Sequence, residues 1–202
     1  TILDCGAPTG SSITGTGTGT LTLGGDVTVN DITTGTGGAT ISAPVALGST
    51  RTFTVADDGT AATDLTISSI ISGAAGVTKA GAGTMLFSGS NTFTGAVTIN
   101  AGILSANTLA NAGANSSLGT GGGTPAISIA GTGTLLYTGS GHSTGRAITL
   151  TGSGATIDAS GTGAMTLSGG ITGNTFNLIL TGTGAGIESG VIGTTSGTVA
   201  KN

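Results

Sequence analysis

The 202-residue sequence has very few charged and aromatic side chains. Charged residues make up 6% of it, aromatic residues make up 2%, and Trp is absent. The four basic residues, Arg51, Lys79, Arg146 and Lys201, are too few to follow a phosphate backbone, so no nucleic-acid partner is expected. A single histidine, His142, and scattered carboxylates form no recognisable catalytic set. The sequence therefore predicts a protein that is not an enzyme and that needs no cofactor.

Markers of several structural classes are also missing. The one cysteine, Cys5, can close no intrachain disulfide, and three prolines without a Gly-x-y period exclude collagen. No apolar run approaches the ~18 residues of a membrane helix, so we expect no insertion into a membrane. Hydrophobic residues nevertheless make up 36% of the chain and the net charge is only −4, which is unlike a disordered sequence. The chain is therefore expected to collapse around a core.

What the sequence has in abundance is glycine, with 42 residues, and a short pattern that recurs. The pattern is Gly-x-Gly, then Thr or Ala, then a short apolar strand and a closing Gly. Copies occupy residues 17–25, 81–89, 131–139 and 161–169. Their uneven spacing predicts rungs that are joined by loops of different length.

Short stretches between these copies alternate apolar residues with Thr or Ser, as in 27–29, 97–99 and 127–129. Such period-2 stretches with Gly-rich turns are typical of a β-sandwich or a β-solenoid, and reuse of one corner pattern favours the solenoid. We predict an all-β chain folded as a parallel β-helix of roughly 8–10 rungs with no substantial helix. Large apolar residues would point inward, among them Met85, Met165, Phe87 and Tyr137, and Thr and Ser would point outward.

We expect one continuous domain over residues 1–202, with an irregular segment at 1–14 and a protruding loop at 105–125. The last residues, 197–202, are similar to residues 76–80. This similarity predicts that the chain stops where another rung would begin, which leaves the C-terminal end of the solenoid open. Unpaired strand edges at such an end favour head-to-tail stacking of copies of the chain.

One group of carboxylates stands out, formed by Asp57, Asp58 and Asp64 around a glycine-containing loop. Calcium takes several oxygen ligands from a flexible loop, so these residues are a weak calcium candidate beside the simpler interpretation of a polar connecting loop. Outward Thr-x-Thr pairs, such as Thr52/Thr54, leave ice binding as an alternative function by analogy. A polysaccharide-binding solenoid is a further alternative.

Residues 76–104 resemble the autotransporter-associated β-strand repeat. That pattern contains Lys-x-Gly-x-Gly, a short apolar strand, Ser-Gly-x-Asn-x-aromatic-x-Gly, a second strand and Ala-Gly-x-Leu. The matching positions are Lys79, Gly81, Gly83, Asn91, Phe93, Gly95 and Gly102. The resemblance implies a parallel β-helix in the passenger region of bacterial secreted or surface-anchored proteins, in which these residues are architectural.

Composition and resemblance together predict an extracellular or cell-surface bacterial protein that forms a fibre or stalk. Its expected partners are other copies of the chain and, for adhesion, glycans or other cell surfaces. A segment of a longer adhesin passenger is the alternative.

Overall fold

The computed structural model describes residues 2–5, 10–15, 19–31, 37–121, 123 and 126–202. Their regular structure consists of β-strands, and none of them forms a helix able to cross a membrane. The strands in chain order are β1 (Ile2–Cys5), β2 (Ser12–Ile13), β3 (Leu21–Leu23), β4 (Val27–Asp31), β5 (Ala39–Ile41), β6 (Val45–Leu47), β7 (Arg51–Val55), β8 (Leu65–Ile67), β9 (Ile71–Ser72), β10 (Val77–Ala80), β11 (Thr84–Phe87), β12 (Val97–Ala106), β13 (Ile127–Tyr137), β14 (Ser140–Thr144), β15 (Ile148–Leu150), β16 (Ala155–Ala159), β17 (Gly163–Leu167), β18 (Ile171–Thr172), β19 (Leu178–Thr181), β20 (Gly186–Glu188), β21 (Ile192–Gly193) and β22 (Val199–Lys201).

The ladders between these strands are parallel, and they stack the strands on three faces. Face 1 stacks nine strands in the order β1, β4, β7, β10, β12, β13, β15, β18 and β21. Face 2 stacks β2, β5, β8, β11, β12, β13, β16, β19 and β22, because the long strands β12 and β13 turn a corner and belong to both faces. The predicted parallel β-solenoid is confirmed.

Face 3 is built differently, from two separate three-stranded sheets, β3-β6-β9 and β14-β17-β20. Between them the chain is held by individual hydrogen bonds, since the N–H groups of Thr92 and Phe93 donate to the carbonyl of Ile71. Residues 107–121, which we call the overhang, leave the stack at this level. Strand β12 extends through Ala106, so the excursion that we expected over 105–125 begins after that residue. Residues 122, 124 and 125 of that segment lie outside the described part of the chain.

Alternating side chains of the strands fill the interior of the solenoid. Met85, Phe87, Tyr137 and Met165 are all buried, which confirms the predicted inward positions. Rungs of different length preserve this alternation: Val77 pairs with Val97, whereas Val97 pairs with Ile127. The longer rung contains the overhang, which leaves the stack and therefore does not shift the inward face of the strands.

The recurrent glycine pattern does not mark one position of the rung. Its strands at Thr84–Phe87 and within β13 lie on face 2, whereas Leu21–Leu23 and Gly163–Leu167 lie on face 3. The pattern encodes a tight corner followed by a half-buried strand, and such corners lead into both face 2 and face 3. Residues 17 and 18 of the first copy lie outside the described residues.

Two further sequence predictions need correction. The segment 1–14 is not wholly irregular, because β1 pairs with β4 and β2 pairs with β5 in the parallel ladders. The similarity of 197–202 to 76–80 is misleading as well, since Val199–Lys201 lies on face 2 and Val77–Ala80 on face 1. Four alternating residues carry too little information to identify a face.

Candidate functional site

Lys79 points into the solenoid and is fully buried. Its Nζ donates hydrogen bonds to the carbonyl oxygens of Ala80, Gly81 and Ala101, at 2.9, 2.7 and 3.2 Å. Burial lowers the pKa of Lys79 to about 8, and the nearby Asp64 carboxylate opposes that shift. All three donors of the ammonium group are satisfied by backbone oxygens. The lysine therefore links the corner after β10 to the corner of the next rung.

Glycines of the resembling segment lie where two rungs approach each other closely. Gly81 and Gly102 have positive φ values of 76° and 65°. A Cβ atom at Gly81 would lie 2.3 Å from the carbonyl oxygen of Val55, and one at Gly102 would lie 2.4 Å from that of Gly81. Gly83 and Gly95 are similarly crowded by backbone atoms of the preceding rung. Gly81 and Gly102 therefore require glycine both for conformation and for space, and Gly83 and Gly95 require it for space.

Asn91 connects three levels of face 3 and is fully buried. Its Oδ1 accepts a hydrogen bond from the Ile71 N–H at 2.8 Å, and its Nδ2 donates to the Ser117 carbonyl at 2.7 Å. Its own N–H donates to the Ser116 carbonyl at 3.0 Å. Phe93, also fully buried, packs next to Gly119 of the overhang. Side chains thus replace the missing strand ladder at this level of face 3.

The carboxylates of Asp57, Asp58 and Asp64 do come together, with ligand oxygens within 4.8 Å of one another. Asp64 is buried, and its two oxygens accept hydrogen bonds from the N–H groups of Asp58 and Thr84. Burial raises the pKa of Asp64, whereas a hydrogen bond from the Ala61 N–H lowers the pKa of Asp58. These hydrogen bonds give the cluster a structural role, because they hold the loop against β11. Calcium binding there stays a prediction.

An open groove lies under the overhang on the outer side of face 3 and has a volume of about 640 Å³. The overhang forms its upper wall, and strands β14 and β17 form its floor. Its lining includes Leu109, Asn111, His142, Ser143, Ala164 and Thr166. None of the described residues that line it is charged. The groove therefore offers hydroxyl and amide groups between small and apolar side chains.

His142 is held by the buried Tyr137. The Tyr137 Oη lies 2.8 Å from His142 Nδ1, where either atom donates according to the imidazole tautomer, and accepts a hydrogen bond from the Gly141 N–H at 2.8 Å. In the β14–β17 ladder His142 pairs with the buried Met165 and alternates with the exposed Ser143, so its side chain lies on the inner side of β14. The sequence analysis found no catalytic set around His142 and did not connect it with Tyr137.

The overhang is fixed from below by three consecutive residues that begin with the last residue of β14. Thr144 Oγ1 donates to the Ala110 carbonyl at 2.8 Å, and the Gly145 N–H donates to Asn111 Oδ1 at 2.6 Å. Arg146, which is 4% exposed, donates through Nη1 to the Leu118 carbonyl at 2.8 Å, and burial lowers its pKa. The sequence analysis missed this role for Arg146, because the contact joins residues of different rungs.

Outward hydroxyl groups form one continuous column on face 1. Its members, one per rung, are Thr52, Thr78, Thr98, Ser128, Thr149 and Thr172. The position two residues beyond Thr78 is Ala80, and the Thr-x-Thr pair 132/134 lies at the corner leading into face 2. The structure therefore does not align the pairs in the two-column array that the ice-binding alternative requires. The side chain of Cys5 lies outside the described part of the chain.

Comparison with known proteins gives two matches. A family described as the passenger-associated-transport-repeat matches residues 77–106, from the start of β10 to the end of β12. The chain is also 35% identical over 150 residues to "Adhesin BmaC autotransporter" of Brucella suis biovar 1 (strain 1330). That alignment covers 73% of this chain and 4% of the relative, so the chain spans only a small part of the relative's length. No solved structure matches.

Proposed function

Residues 77–106 are a passenger-associated-transport repeat of the autotransporter type, and on that premise we propose that the chain is a non-enzymatic, adhesive segment of a bacterial cell-surface or extracellular protein. The observation that carries the proposal is the use of the repeat's polar residues. Lys79 and Asn91 are buried and bond backbone groups of neighbouring rungs, so they build the stalk and offer no reactive group to solvent. The name of the relative supports the adhesive role.

The proposed segment works as a stiff spacer with an uncharged outer surface. Nine-strand ladders on two faces hold the rungs together by backbone hydrogen bonds along the whole described body. With 6% charged residues, attachment would depend on hydrogen bonding and shape complementarity. Screening by salt weakens interactions between exposed charges and has little effect on uncharged contacts. We therefore expect attachment that persists at high ionic strength.

The test is attachment of the fluorescently labelled chain to cultured mammalian cells, with and without enzymatic removal of their surface glycans. We expect attachment to untreated cells that is retained in high salt and lost after removal of the glycans. A chain that attaches to neither preparation would contradict the adhesive role. Attachment that disappears on addition of salt would contradict the uncharged mode of contact.

Head-to-tail association of copies is a second proposed property, favoured by exposed apolar side chains in the last rungs. Val191, Ile187 and Val199 are 79%, 50% and 45% exposed. Unpaired strand edges beside apolar groups favour pairing with another chain. Sedimentation velocity over a concentration series should show growing assemblies, and Val191→Lys should reduce them. A single species at every concentration would contradict this property.

A further inference from the structure

We infer that the groove under the overhang binds an uncharged saccharide; this inference rests on the proposed adhesive function and names its contact site. The size of the groove, about 640 Å³, lies within the range of about 300–1,000 Å³ typical of small-molecule sites. It is bounded on two sides, by the overhang and by the outer surface of β14 and β17. A segment of a few sugar rings is the ligand class that its chemistry fits.

The polar groups of the groove match the hydroxyl groups of a sugar. Ser143 and Thr166 are direct neighbours in the β14–β17 ladder, so their hydroxyls lie side by side along the floor. Asn111 contributes an amide nitrogen, because its Oδ1 already accepts the Gly145 N–H. Hydroxyls both donate and accept hydrogen bonds, as sugar hydroxyls do. The three groups can therefore donate hydrogen bonds to a sugar hydroxyl and accept them from it.

The small and apolar residues of the groove suit the less polar faces of sugar rings. Ala164 lies on the floor beside Thr166, and Leu109 lies in the opposite wall. Leu109 is 4% exposed, so its side chain packs firmly and gives the wall a fixed shape. A ring lying over Ala164 would leave its hydroxyls free to reach Ser143 and Thr166.

The groove is rigid before any ligand arrives. The overhang is fixed from below by Thr144 and Gly145 and from above by Asn91, which donates to the Ser117 carbonyl. Binding groups that are already ordered lose less conformational entropy on association, which favours affinity for a weakly interacting ligand.

The absence of charge selects against other ligands. No charged residue is found among the described groups that line the groove, so an acidic sugar or a phosphate would lose water without gaining an ion pair. An extended peptide would need backbone partners along the edge of β14. On that edge the Gly141 N–H is already bonded to Tyr137, and the overhang accepts bonds from Thr144 and Gly145. These contacts favour the saccharide.

The test uses the full chain and saturation-transfer NMR with neutral oligosaccharides of two to four hexose or N-acetylhexosamine units. Uronic-acid oligosaccharides of the same length and an extended Thr/Val peptide serve as competing probes. Ala164→Trp fills the floor of the groove, and Ala46→Trp is the matched control. Both alanines are half-buried and point outward from a face 3 strand, but Ala46 lies in β6, in the other sheet. Ser143→Leu is a second groove variant, at an exposed position.

We expect at least one neutral oligosaccharide to bind, with affinity reduced about tenfold or more by Ala164→Trp and Ser143→Leu and unchanged by Ala46→Trp. No neutral binder, preference for the acidic or peptide probe, or full binding by both folded groove variants would overturn the inference. Cell attachment separates the two claims. Attachment that survives in the groove variants contradicts the groove alone, whereas saccharide binding without cell attachment contradicts the adhesive function alone.

Discussion

Faces 1 and 2 hold neighbouring rungs together by a different means from face 3. On faces 1 and 2, nine consecutive strands satisfy one another through an uninterrupted parallel ladder. On face 3 the ladder stops after β9 and resumes at β14, and side chains fill the gap. Asn91 connects the β3-β6-β9 sheet to the overhang. Arg146 and Thr144 connect the overhang to the β14-β17-β20 sheet.

The difference shows which face of a repetitive solenoid can form a specific binding surface. A continuous ladder needs only alternating apolar residues, so faces 1 and 2 tolerate almost any outward residue. The interrupted face depends on specific side chains with specific partners, and its outer surface is no longer a flat row of strands. The groove lies at this interruption, between the overhang and β14. Specific binding is therefore expected on face 3, and stiffness is expected from the other two faces.

The largest loss of stability is expected from Phe93→Ala. Phe93 is fully buried beneath the interrupted part of face 3, and removing a buried phenyl ring costs about 3–5 kcal/mol of unfolding free energy. Phe176→Ala is the control, because Phe176 is only partly buried. Chemical denaturation of both variants would measure the difference. Equal losses of unfolding free energy in the two variants would show that Phe93 does not specifically stabilise the interrupted part of face 3.

Asn91→Ala should cause the next largest effect, a loss of about 2–4 kcal/mol of unfolding free energy, because it leaves the Ile71 N–H and the Ser117 carbonyl buried without a partner. Asn100→Ala, at an exposed position of β12, should change stability by less than about 0.5 kcal/mol. Hydrogen exchange should locate the Asn91 effect in the overhang. A loss spread evenly over all three faces would argue against a local connecting role.

Lys79→Met is expected to change the pH dependence of the unfolding free energy. In the folded chain burial lowers the lysine pKa from 10.5 to about 8, so between these values the unfolded chain binds the proton that the folded chain releases. The unfolding free energy of the wild type should therefore rise as pH increases from about 8 to 10.5, and the variant should lose this rise. The exposed Lys201→Met is the control. An unchanged slope in Lys79→Met would contradict the assignment.

The smallest effect is expected from Thr144→Val, which removes the hydrogen bond to the Ala110 carbonyl and the one that Thr144 Oγ1 accepts from the Arg146 N–H. A loss of about 1–2 kcal/mol of local stability should accelerate amide exchange in the overhang about fivefold or more and leave faces 1 and 2 unchanged. Thr98→Val, on the hydroxyl column of face 1, should leave exchange unaltered. Faster exchange in both variants would mean that the overhang is no more dependent on side chains than the ladders are.

Much of faces 1 and 2 could be predicted from the sequence, because period-2 alternation is local: Met85, Phe87 and Tyr137 point inward as expected. The glycine pattern located corners but could not say which face followed. Face 3 was out of reach for a different reason. The bonds from Asn91 to Ser117 and from Arg146 to Leu118 join residues 26 and 28 positions apart, and no local pattern encodes them.

The central claim is that the chain attaches through the interrupted face, and the most direct measurement compares cell attachment of the wild type, Ala164→Trp and Ala46→Trp side by side. All three proteins should show the same far-ultraviolet circular dichroism, so that folding is not in question. We predict that the wild type and Ala46→Trp attach equally and that Ala164→Trp does not. Attachment of Ala164→Trp at the wild-type level would contradict the account.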